Sequence, residues 1–478
     1  MKFIADFHIH SPYSRATSKN LSPKNLDYWA GIKGIKVVGT GDFTHPGWLQ
    51  ELKEKLIPAE EGLFKLKEKK KGQFSVRFIL TCEISSIYKK KGKVRKIHNL
   101  IFAPDFETAE KIQKKLSKIG NITADGRPIL GLDSKNLLEI CLECSDKILF
   151  VPAHIWTPWF FVVFANSRFD SVEECFEDLS KYIFAVETGL SSDPPMNWMC
   201  SFLDKYTLIS NSDAHSPEKI GREANLFDTE LCYSAIIKAI KEKKGFLGTV
   251  EFFPQEGKYH YDGHRKCGIR WSPAETLKHR GICPVCGKKV TIGVMNRVIQ
   301  LADRPDIKNM KKPQSFYSLI PLKEILSEIL EVSPNSKQVT QMYNHLIHKA
   351  GSEFALLLDL PVEEIKKIGT EILAEAIRRM RKGEVYIKEG FDGEYGQIKV
   401  FAEDEVKASS NFLFSDFPTA RKTKKTLRKS MDFALLQNQE LPRRKDESEK
   451  TFHKDSFLEE LNPEQKKAVE HFKGPIII

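Results

Sequence analysis

The sequence predicts an α/β fold in which short strands alternate with helices. Seven apolar runs in the first half of the chain are mostly rich in isoleucine, valine and phenylalanine, and they are too short to be helices. Runs of this kind, bounded by polar residues, are typical of buried parallel strands. Charged helical stretches lie between several of them. With right-handed crossovers, this order gives a parallel barrel or a doubly wound sheet.

Each run ends on or encloses a side chain that can bind a metal ion. His8 and His10 are two residues apart, so both rings project to one side of a strand, and Asp213 and His215 repeat this spacing. In a barrel the carboxyl ends of the strands converge on one face, which would bring these groups together. The candidate ligands from these runs are His8, His10, Asp42, Glu83, His98, His154, Glu187, Asp213 and His215.

Any one of these residues, taken alone, is better explained as a polar strand cap. The whole set is not, because unpaired buried carboxylates and imidazoles would each be costly. Histidine and carboxylate together suit zinc, manganese or iron. We therefore predict two or three catalytic divalent ions, with zinc as the first candidate and manganese or magnesium as alternatives.

The bulk composition favours an anionic partner. The 478 residues carry a formal net charge of +11, which suits nucleic acid or an acidic membrane. The chain enters its first strand without a leader, and its densest apolar run, 159–164, is too short to span a bilayer. We therefore expect a cytoplasmic, nucleoid-associated protein with no membrane partner. Nine scattered cysteines favour thiols and metal ligands over disulfides.

Changes in composition and periodicity along the sequence predict five segments. Residues 1–240 carry the strand and helix alternation, and 250–305 are rich in glycine, histidine, cysteine and proline. Residues 306–401 show helical periodicity, 402–456 form a basic linker, and 457–478 begin a further domain.

A second metal site is predicted in the segment 250–305. His264 and Cys267 form one pair and Cys283 and Cys286 another, on either side of a short loop. Four such ligands with no vacancy indicate one structural zinc ion in a ribbon or knuckle. Two further histidines compete for the histidine position, His260 and His279.

Several residues are candidates for DNA contact. Arg378 and Arg381 lie at the end of the last amphipathic stretch, where they suit either a solvated helix cap or phosphate contact. Trp156, Trp159 and Phe160 follow a ligand strand and suit either a wall that reads a base or a hydrophobic lid on the barrel. Arg222 is a further candidate for DNA contact.

These motifs resemble those of the polymerase and histidinol phosphatase (PHP) superfamily, metal-dependent phosphoesterases on a distorted seven-stranded barrel. The resemblance rests on Asp6-Phe7-His8-Ile9-His10-Ser11, Glu83, His98, His154 and Ser212-Asp213-Ala214-His215. The stretches around Gly41, Pro152 and Glu187, with the zinc module, are more specifically similar to the endonuclease Q family. This resemblance implies a distorted (β/α)7 PHP barrel with a zinc-binding module and a small helical C-terminal domain. It also implies nicking of DNA on the 5′ side of deaminated bases (hypoxanthine, uracil, xanthine) and at abasic sites.

Within this frame we expect one ion on His8, His10, Glu83 and Asp213, with Glu83 bridging to another on His98 and His154. His45 and His215 would hold a further ion, since Phe43 follows Asp42 where the superfamily has histidine. Asp42 is a ligand or an orienting partner. The catalytic candidates are Asp213, Glu187 and Asp193, the last two as ligands or for proton transfer.

Residues 461–469 resemble the glutamine motif that opens UvrD-type helicases, which predicts a helicase domain as a partner in cis or in trans. The sequence ends before any phosphate-binding loop, so a longer gene product or a truncated fusion is expected. Two other functions stay open: a small-molecule phosphatase, and a noncatalytic DNA-binding platform for a helicase.

Overall fold

The computed structural model describes residues 1–68, 74–158, 169–304, 307, 310, 314–402 and 405. The described residues belong to one compact unit, Met1–Phe417. The helicase-like stretch and nearly all of the basic linker lie outside the described residues. The segment boundaries expected within that unit remain predictions.

The strands are short except for two long neighbours, β5 and β6. They are β1 (Lys2–Asp6), β2 (Ile35–Gly39), β3 (Leu56–Pro58), β4 (Phe64–Leu66), β5 (Arg77–Lys90), β6 (Lys93–Ala103), β7 (Ile129–Leu130), β8 (Leu149–Pro152), β9 (Ala185–Glu187), β10 (Thr207–Ile209), β11 (Ala224–Asp228), β12 (Phe246–Glu251), β13 (Asp262–His264), β14 (Ile269–Trp271), β15 (Ser315–Ser318), β16 (Tyr386–Lys388) and β17 (Gln397–Lys399).

The helices alternate with these strands up to β12 and dominate after β15. They are α1 (Pro23–Lys33), α2 (Pro46–Lys55), α3 (Phe106–Leu116), α4 (Ser134–Cys144), α5 (Val172–Phe176), α6 (Pro194–Trp198), α7 (Tyr233–Glu242), α8 (Pro273–Lys278), α9 (Val294–Leu301), α10 (Leu322–Leu330), α11 (Lys337–Ala350), α12 (Val362–Ile368) and α13 (Glu371–Lys382).

A mixed sheet of 11 strands forms the centre of the unit, which is therefore an α/β fold. Its main path runs β15-β12-β11-β1-β2-β5-β4-β3, with β7 paired to β5, and with β6 bridging β5 and β8. Strands β9 and β10 form a separate parallel pair among the described residues. Inward side chains from successive strands meet in one apolar cluster, where the Phe7 ring lies 5.2 Å from Phe102 and 5.9 Å from Phe227. The strands thus curve around a shared core, whereas a closed seven-stranded barrel remains a prediction.

The expectation that all ligand strands are parallel is wrong for β6. Strands β5 and β6 form an antiparallel hairpin, and β8 pairs antiparallel with β6. The hairpin turns at Lys91 and Gly92, both of which have positive φ, at 52° and 75°. A two-residue turn of this type matches the twist of antiparallel strands and leaves no room for a crossover helix.

Helices α10 to α13 pack on the sheet-bearing part of the unit and share its main apolar core. Glu353 is buried at the contact, where it accepts hydrogen bonds from the Tyr343 hydroxyl at 2.7 Å and the Leu322 N–H at 3.0 Å. Lys33, at the end of α1, lies 3.6 Å from the same carboxylate. Buried charges that are paired in this way hold elements in one arrangement, because removing either partner leaves the other uncompensated.

Candidate metal centre

The first histidine pair is fixed by the chain that immediately follows β1. The His10 N–H donates to the Ala214 carbonyl at 3.1 Å, and Ile9 and Ala214 form a parallel bridge. Asp6, at the end of β1, accepts from the backbone N–H of Ser212 at 3.1 Å. Two stretches about 200 residues apart thus lie side by side, which is the convergence expected of parallel strand ends.

Four side chains converge at this point. His10 Nε2 lies 2.9 Å from Asp213 Oδ1 and 3.4 Å from Glu83 Oε2, and His8 Nε2 lies 3.5 Å from the same Glu83 oxygen. One ligand atom from each of the four residues fits within 4.8 Å of the others. His8 Nε2 is buried and makes no hydrogen bond within the described chain. A buried nitrogen left unpaired at the middle of such a group fits a metal ligand.

A second group shares Glu83 with the first. Its other oxygen, Oε1, lies 2.6 Å from His98 Nδ1 and 3.0 Å from His154 Nε2. These three residues also satisfy the 4.8 Å limit. Glu83 and His98 lie on β5 and β6 and are diagonal neighbours across the hairpin. One carboxylate therefore faces two sets of imidazoles.

Two further carboxylates orient the first histidine pair. Both oxygens of Glu187 lie 3.0 Å from His8 Nδ1, and Asp42 Oδ1 lies 3.2 Å from His10 Nδ1. Carboxylates at Nδ1 would hold the proton there in metal-loaded protein, so that each Nε2 could bind an ion at the centre. Asp42 is thus an orienting partner in this structure, and its second oxygen is occupied by Ser11 and Ser14.

The electrostatics of the centre favour cations. Burial opposes ionisation of Glu83, but His98 and Arg127 outweigh it and hold its pKa well below the usual range. Asp213 behaves alike, with His10 and His8 keeping its pKa low despite burial. Burial lowers the pKa of His98 to about 4, so this ring is neutral and able to bind a metal. Ionised carboxylates beside the neutral His98 ring provide ligands for a divalent metal.

The backbone is strained at three of these positions. Asp42, His154 and Asp213 have positive φ, at 48°, 30° and 47°. Residues held in this region cost about 1–3 kcal/mol each and are concentrated at functional sites. Gly189 packs against His154 so closely that a Cβ atom there would overlap its side chain.

The geometry does not support the further ion expected on His45 and His215. Both ring nitrogens of His45 are used, because Nδ1 accepts from the Trp48 N–H that opens α2 and Nε2 donates to the Thr123 carbonyl at 3.2 Å. His215 does lie beside the first group, its ring 4.5 Å from that of His10, but its Nδ1 bonds the Asp213 carbonyl at 2.9 Å.

The proton-transfer roles considered for Glu187 and Asp193 also lack support in this geometry. The oxygens of Glu187 accept from the Asn211 side chain and the His154 N–H, each at 2.8 Å, in addition to facing His8. Asp193 caps α6 by accepting from the Met196 N–H at 3.0 Å, and burial raises its pKa to about 6. Both carboxylates are therefore occupied by positioning contacts.

The four predicted zinc ligands also come together. Ligand atoms of His264, Cys267, Cys283 and Cys286 lie within 4.8 Å of one another. Desolvation opposes ionisation of Cys283, but backbone N–H groups of Cys286 and Val285 lower its pKa to about 6, which favours the thiolate. A cluster of three sulfurs and one imidazole nitrogen, around a core of only a few apolar residues, fits a structural zinc ion. The competing histidines, His260 and His279, lie outside the group.

Comparison with known proteins identifies the family. The solved structure of the lesion-specific endonuclease PfuEndoQ from Pyrococcus furiosus matches 86% of this chain and 99% of its own, at 32% identity and a TM-score of 0.75. The chain belongs to the endonuclease Q family. It is therefore a nuclease of the DNA repair class, a hydrolase acting on phosphodiester bonds. An endonuclease Q solved with a 27-mer duplex substrate bearing an abasic lesion matches 85% of the chain at 32% identity and a TM-score of 0.73, covering 98% of that structure.

Other relatives of this endonuclease Q family member are less informative about function. YqxK of Bacillus subtilis is 28% identical over 421 residues, which is 83% of this chain and 99% of YqxK. MJ0043 of Methanocaldococcus jannaschii is 34% identical over 270 residues, which is 54% of this chain, and the match spans only 33% of MJ0043. A family model described as the MJ0043 C-terminal domain matches residues 321–384, the helices α10 to α13.

Four of the predicted DNA contacts have partners within the chain in this endonuclease Q family member. Trp156 is fully buried and donates to Asn197 at 2.8 Å, so it is core. Arg381 donates to three carbonyls that precede α12, and Arg378 pairs with Glu375 and Glu384. Arg222 donates to the carbonyl of Ser212 at 3.0 Å, next to Asp213. Trp159 and Phe160 lie outside the described residues.

Sequence reasoning missed the segment 121–128, which adjoins the centre. Arg127 Nη1 lies 3.2 Å from Glu83 Oε2, and Gly126 packs against Asp42. The Asp125-Gly126-Arg127-Pro128 turn was visible in the sequence, but nothing in its local pattern places it beside Glu83. Among the described residues no helix is long and apolar enough to cross a membrane.

Proposed function

We propose that this protein is a metal-dependent endonuclease that hydrolyses the phosphodiester on the 5′ side of deaminated bases and at abasic sites. The expected lesions are hypoxanthine, uracil, xanthine and the abasic site. The observation that carries the proposal is the pair of ligand groups joined at Glu83, in a chain 32% identical to a lesion-specific endonuclease. Two linked sites of this kind suit in-line displacement at phosphorus.

In this proposal His8, His10, Glu83 and Asp213 hold one divalent ion, and Glu83, His98 and His154 hold another. Bound ions of this kind would activate water at neutral pH and neutralise charge on the phosphate. The protein's own contribution is to fix the ligands: Glu187 and Asp42 set the orientation of the two leading rings. Asn211 secures Glu187 in turn, because it donates to that carboxylate at 2.8 Å while accepting from the Phe7 N–H.

The zinc module is proposed as a DNA-binding element. Leu277 and Val285 are 81% and 68% exposed there, and four basic residues around them are exposed without an ion pair to any described residue. These are Lys278, Arg280, Lys288 and Lys289. Cationic side chains beside apolar tips suit a distorted duplex, where phosphates and unstacked bases are both accessible.

Base selection is proposed to reside in Trp159 and Phe160. A nuclease specific for one altered base has to unstack it and read its edge, and aromatic faces serve this purpose. Trp156, which is core, is removed from that proposal. A helicase domain in cis or in trans remains a proposed partner.

The two competing functions make different predictions. A small-molecule phosphatase shares the metal chemistry but has no use for the basic zinc module. A noncatalytic platform should have lost metal ligands, whereas the six ligand positions of the two groups and the carboxylate that orients His8 are filled. These are His8, His10, Glu83, His98, His154, Asp213 and Glu187.

The test is a nicking assay on an end-labelled duplex holding one hypoxanthine, with the same duplex lacking the lesion as its control. We expect a single nick 5′ of the lesion with Mn²⁺, Mg²⁺ or Zn²⁺ and none with chelator. Asp213→Asn should abolish nicking while duplex affinity persists. Absence of any nick under all three metals would favour the platform, and hydrolysis confined to phosphomonoesters would favour the phosphatase.

A further inference from the structure

The segment 121–128, here called the strap, lies beside the metal centre. It is tied down at several points along its length. The Gly126 N–H donates to the Tyr13 carbonyl at 3.1 Å, and the Thr123 carbonyl accepts from His45. At its end, the Ser85 N–H donates to the Pro128 carbonyl at 3.0 Å. The strap is thus held against β5, the strand that carries Glu83.

Asp125 stabilises a turn within the strap. Its Oδ1 accepts from the backbone N–H groups of Arg127 at 3.1 Å and Arg15 at 3.2 Å. The Arg15 side chain lies 3.5 Å from the other oxygen and is 74% exposed. An aspartate that accepts from its own turn in this way fixes the backbone direction of the residue two positions further on. Here that residue is Arg127.

Arg127 extends from this turn into the centre. Its Nη1 donates to Glu83 Oε2 at 3.2 Å, the oxygen that also faces His8 and His10. The side chain is 26% exposed, and its Nε and Nη2 groups make no hydrogen bond to a described residue. A partly buried guanidinium with free donors at a metal centre is suited to bind a planar or tetrahedral oxyanion.

We propose that the Arg127 guanidinium binds a non-bridging oxygen of the scissile phosphate and so positions it over the Glu83 carboxylate. The proposal rests on the proposed function, since it assigns the phosphate contact of that reaction. With divalent ions held by Glu83 and the histidines, the charge of Glu83 would be balanced without Arg127, whose guanidinium would then be available to the substrate phosphate.

The alternative is that Arg127 serves only as a counter-ion for Glu83. The two roles can be distinguished in metal-loaded protein. If Arg127 is only a counter-ion, its removal should change the stability and the metal content of the protein. If Arg127 binds phosphate, its removal should leave both unchanged. We therefore compare Arg127→Ala and Arg127→Lys with Arg77→Ala. Arg77 pairs with Glu60 outside the ligand groups, with Nη2 at 2.8 Å, and serves as the matched control.

The first readout does not depend on cleavage. Thermal melting of metal-loaded protein is followed against inorganic phosphate, and the metal content is measured. We expect phosphate to raise the Tm of wild type and of Arg77→Ala at similar concentrations. Arg127→Ala should need at least tenfold more phosphate for the same rise in Tm. Arg127→Lys should need an intermediate concentration. All four proteins should keep the same metal content. Equal phosphate responses, or loss of metal from Arg127→Ala, would overturn the proposal.

The second readout is single-turnover nicking of the hypoxanthine duplex. Removing one preorganised donor to a developing charge typically costs about 10²–10³ in rate, which is the loss expected for Arg127→Ala. Added guanidinium should restore part of it. If wild type nicks and Arg127→Ala nicks equally fast, the Arg127 inference fails while the proposed function stands. If wild type does not nick, the proposed function fails and the phosphate melting still decides the role of Arg127.

Discussion

Glu83 directs one oxygen to each of two histidine groups, and this single side chain joins them. Its position within β5 fixes this arrangement, because the strand runs past the centre instead of ending there. The carboxylate is buried, but His98 and Arg127 keep its pKa well below the usual range. It therefore stays ionised across the pH range in which a nuclease works, as a bridging ligand requires.

Gly126 lets the strap approach the orienting carboxylate. A Cβ atom at this position would lie 2.5 Å from Ser14 Oγ and would overlap Asp42 Oδ2. Gly126→Ala should therefore displace Asp42 from His10 and lower the nicking rate by about 10–100-fold, as for other orienting partners. Gly131→Ala is the control, because nothing lies within 4 Å of its added methyl group. Equal nicking rates for the two variants would contradict this reading.

Glu251 gives a prediction about pH. It is buried at the end of β12, where Ser210 and Thr188 donate to it at 3.1 and 3.2 Å, and burial raises its pKa to about 8. The folded protein thus keeps a proton that the unfolded chain releases near its ordinary value of 4.5. The stability from this group is present below that value and is lost as pH rises through about 8.

Glu251→Gln should remove this loss of stability at high pH, because glutamine does not ionise. Its Tm should exceed that of wild type by a few degrees at pH 9 and converge with it at pH 5, as measured by calorimetry at both values. Melting curves that stay parallel over this range would show that Glu251 does not titrate as described.

The sequence was sufficient to single out the six side chains of the two groups, because they lie within short apolar runs or a few residues after them. It did not reveal whether Asp42 binds a metal or orients His10, since that depends on hydrogen bonds from Ser11 and Ser14. Arg127 could not be found at all. Its partner, Glu83, lies 44 residues away, and only the tertiary path of the strap brings them together.

At the scale of elements, the hairpin of β5 and β6 shows the limit of apolar patterning. The run that encloses His98 was correctly predicted as a strand but wrongly as a parallel one. A strand that is buried on both faces has the same apolar sequence pattern whether its neighbours run parallel or antiparallel to it. Lys91-Gly92 was the available signal, as a two-residue turn between two apolar runs. The hairpin matters for the centre, since it places His98 diagonally opposite Glu83.

The arginines of α13 give a prediction at this scale. Arg381 donates to the carbonyls of Leu356, Leu357 and Leu360 at 2.7–2.9 Å, whereas Arg378 pairs with exposed glutamates. Arg381→Ala would leave these carbonyls with fewer partners and should lower the free energy of unfolding by about 1–3 kcal/mol. Arg378→Ala should leave it nearly unchanged, because the side chain lies at the surface.

Chemical denaturation and duplex affinity at fixed salt are the measurements for both variants. We expect neither to weaken DNA binding by more than a few fold, because these guanidinium groups already have partners within the chain. A tenfold loss of affinity for Arg378→Ala with unchanged stability would restore its role in DNA contact.

At the scale of the whole molecule, positive charge is concentrated at the surface and negative charge at the buried metal centre. The chain carries a net charge of +11, yet its centre holds the carboxylates of Glu83, Asp213, Asp42 and Glu187. The exposed lysines and arginines suit a polyanionic partner, and the buried carboxylates suit divalent cations. We therefore expect metal loading to strengthen the binding of DNA.

The central claim is that one carboxylate joins two divalent sites that are separate from the zinc module. The direct measurement is elemental analysis of purified wild type and Glu83→Gln protein, with Cys283→Ser as the matched variant of the zinc module. We predict that Glu83→Gln loses the ions of both histidine groups and keeps one zinc, whereas Cys283→Ser loses that zinc alone. If Glu83→Gln retains the full metal content of wild type, the shared centre described here does not exist.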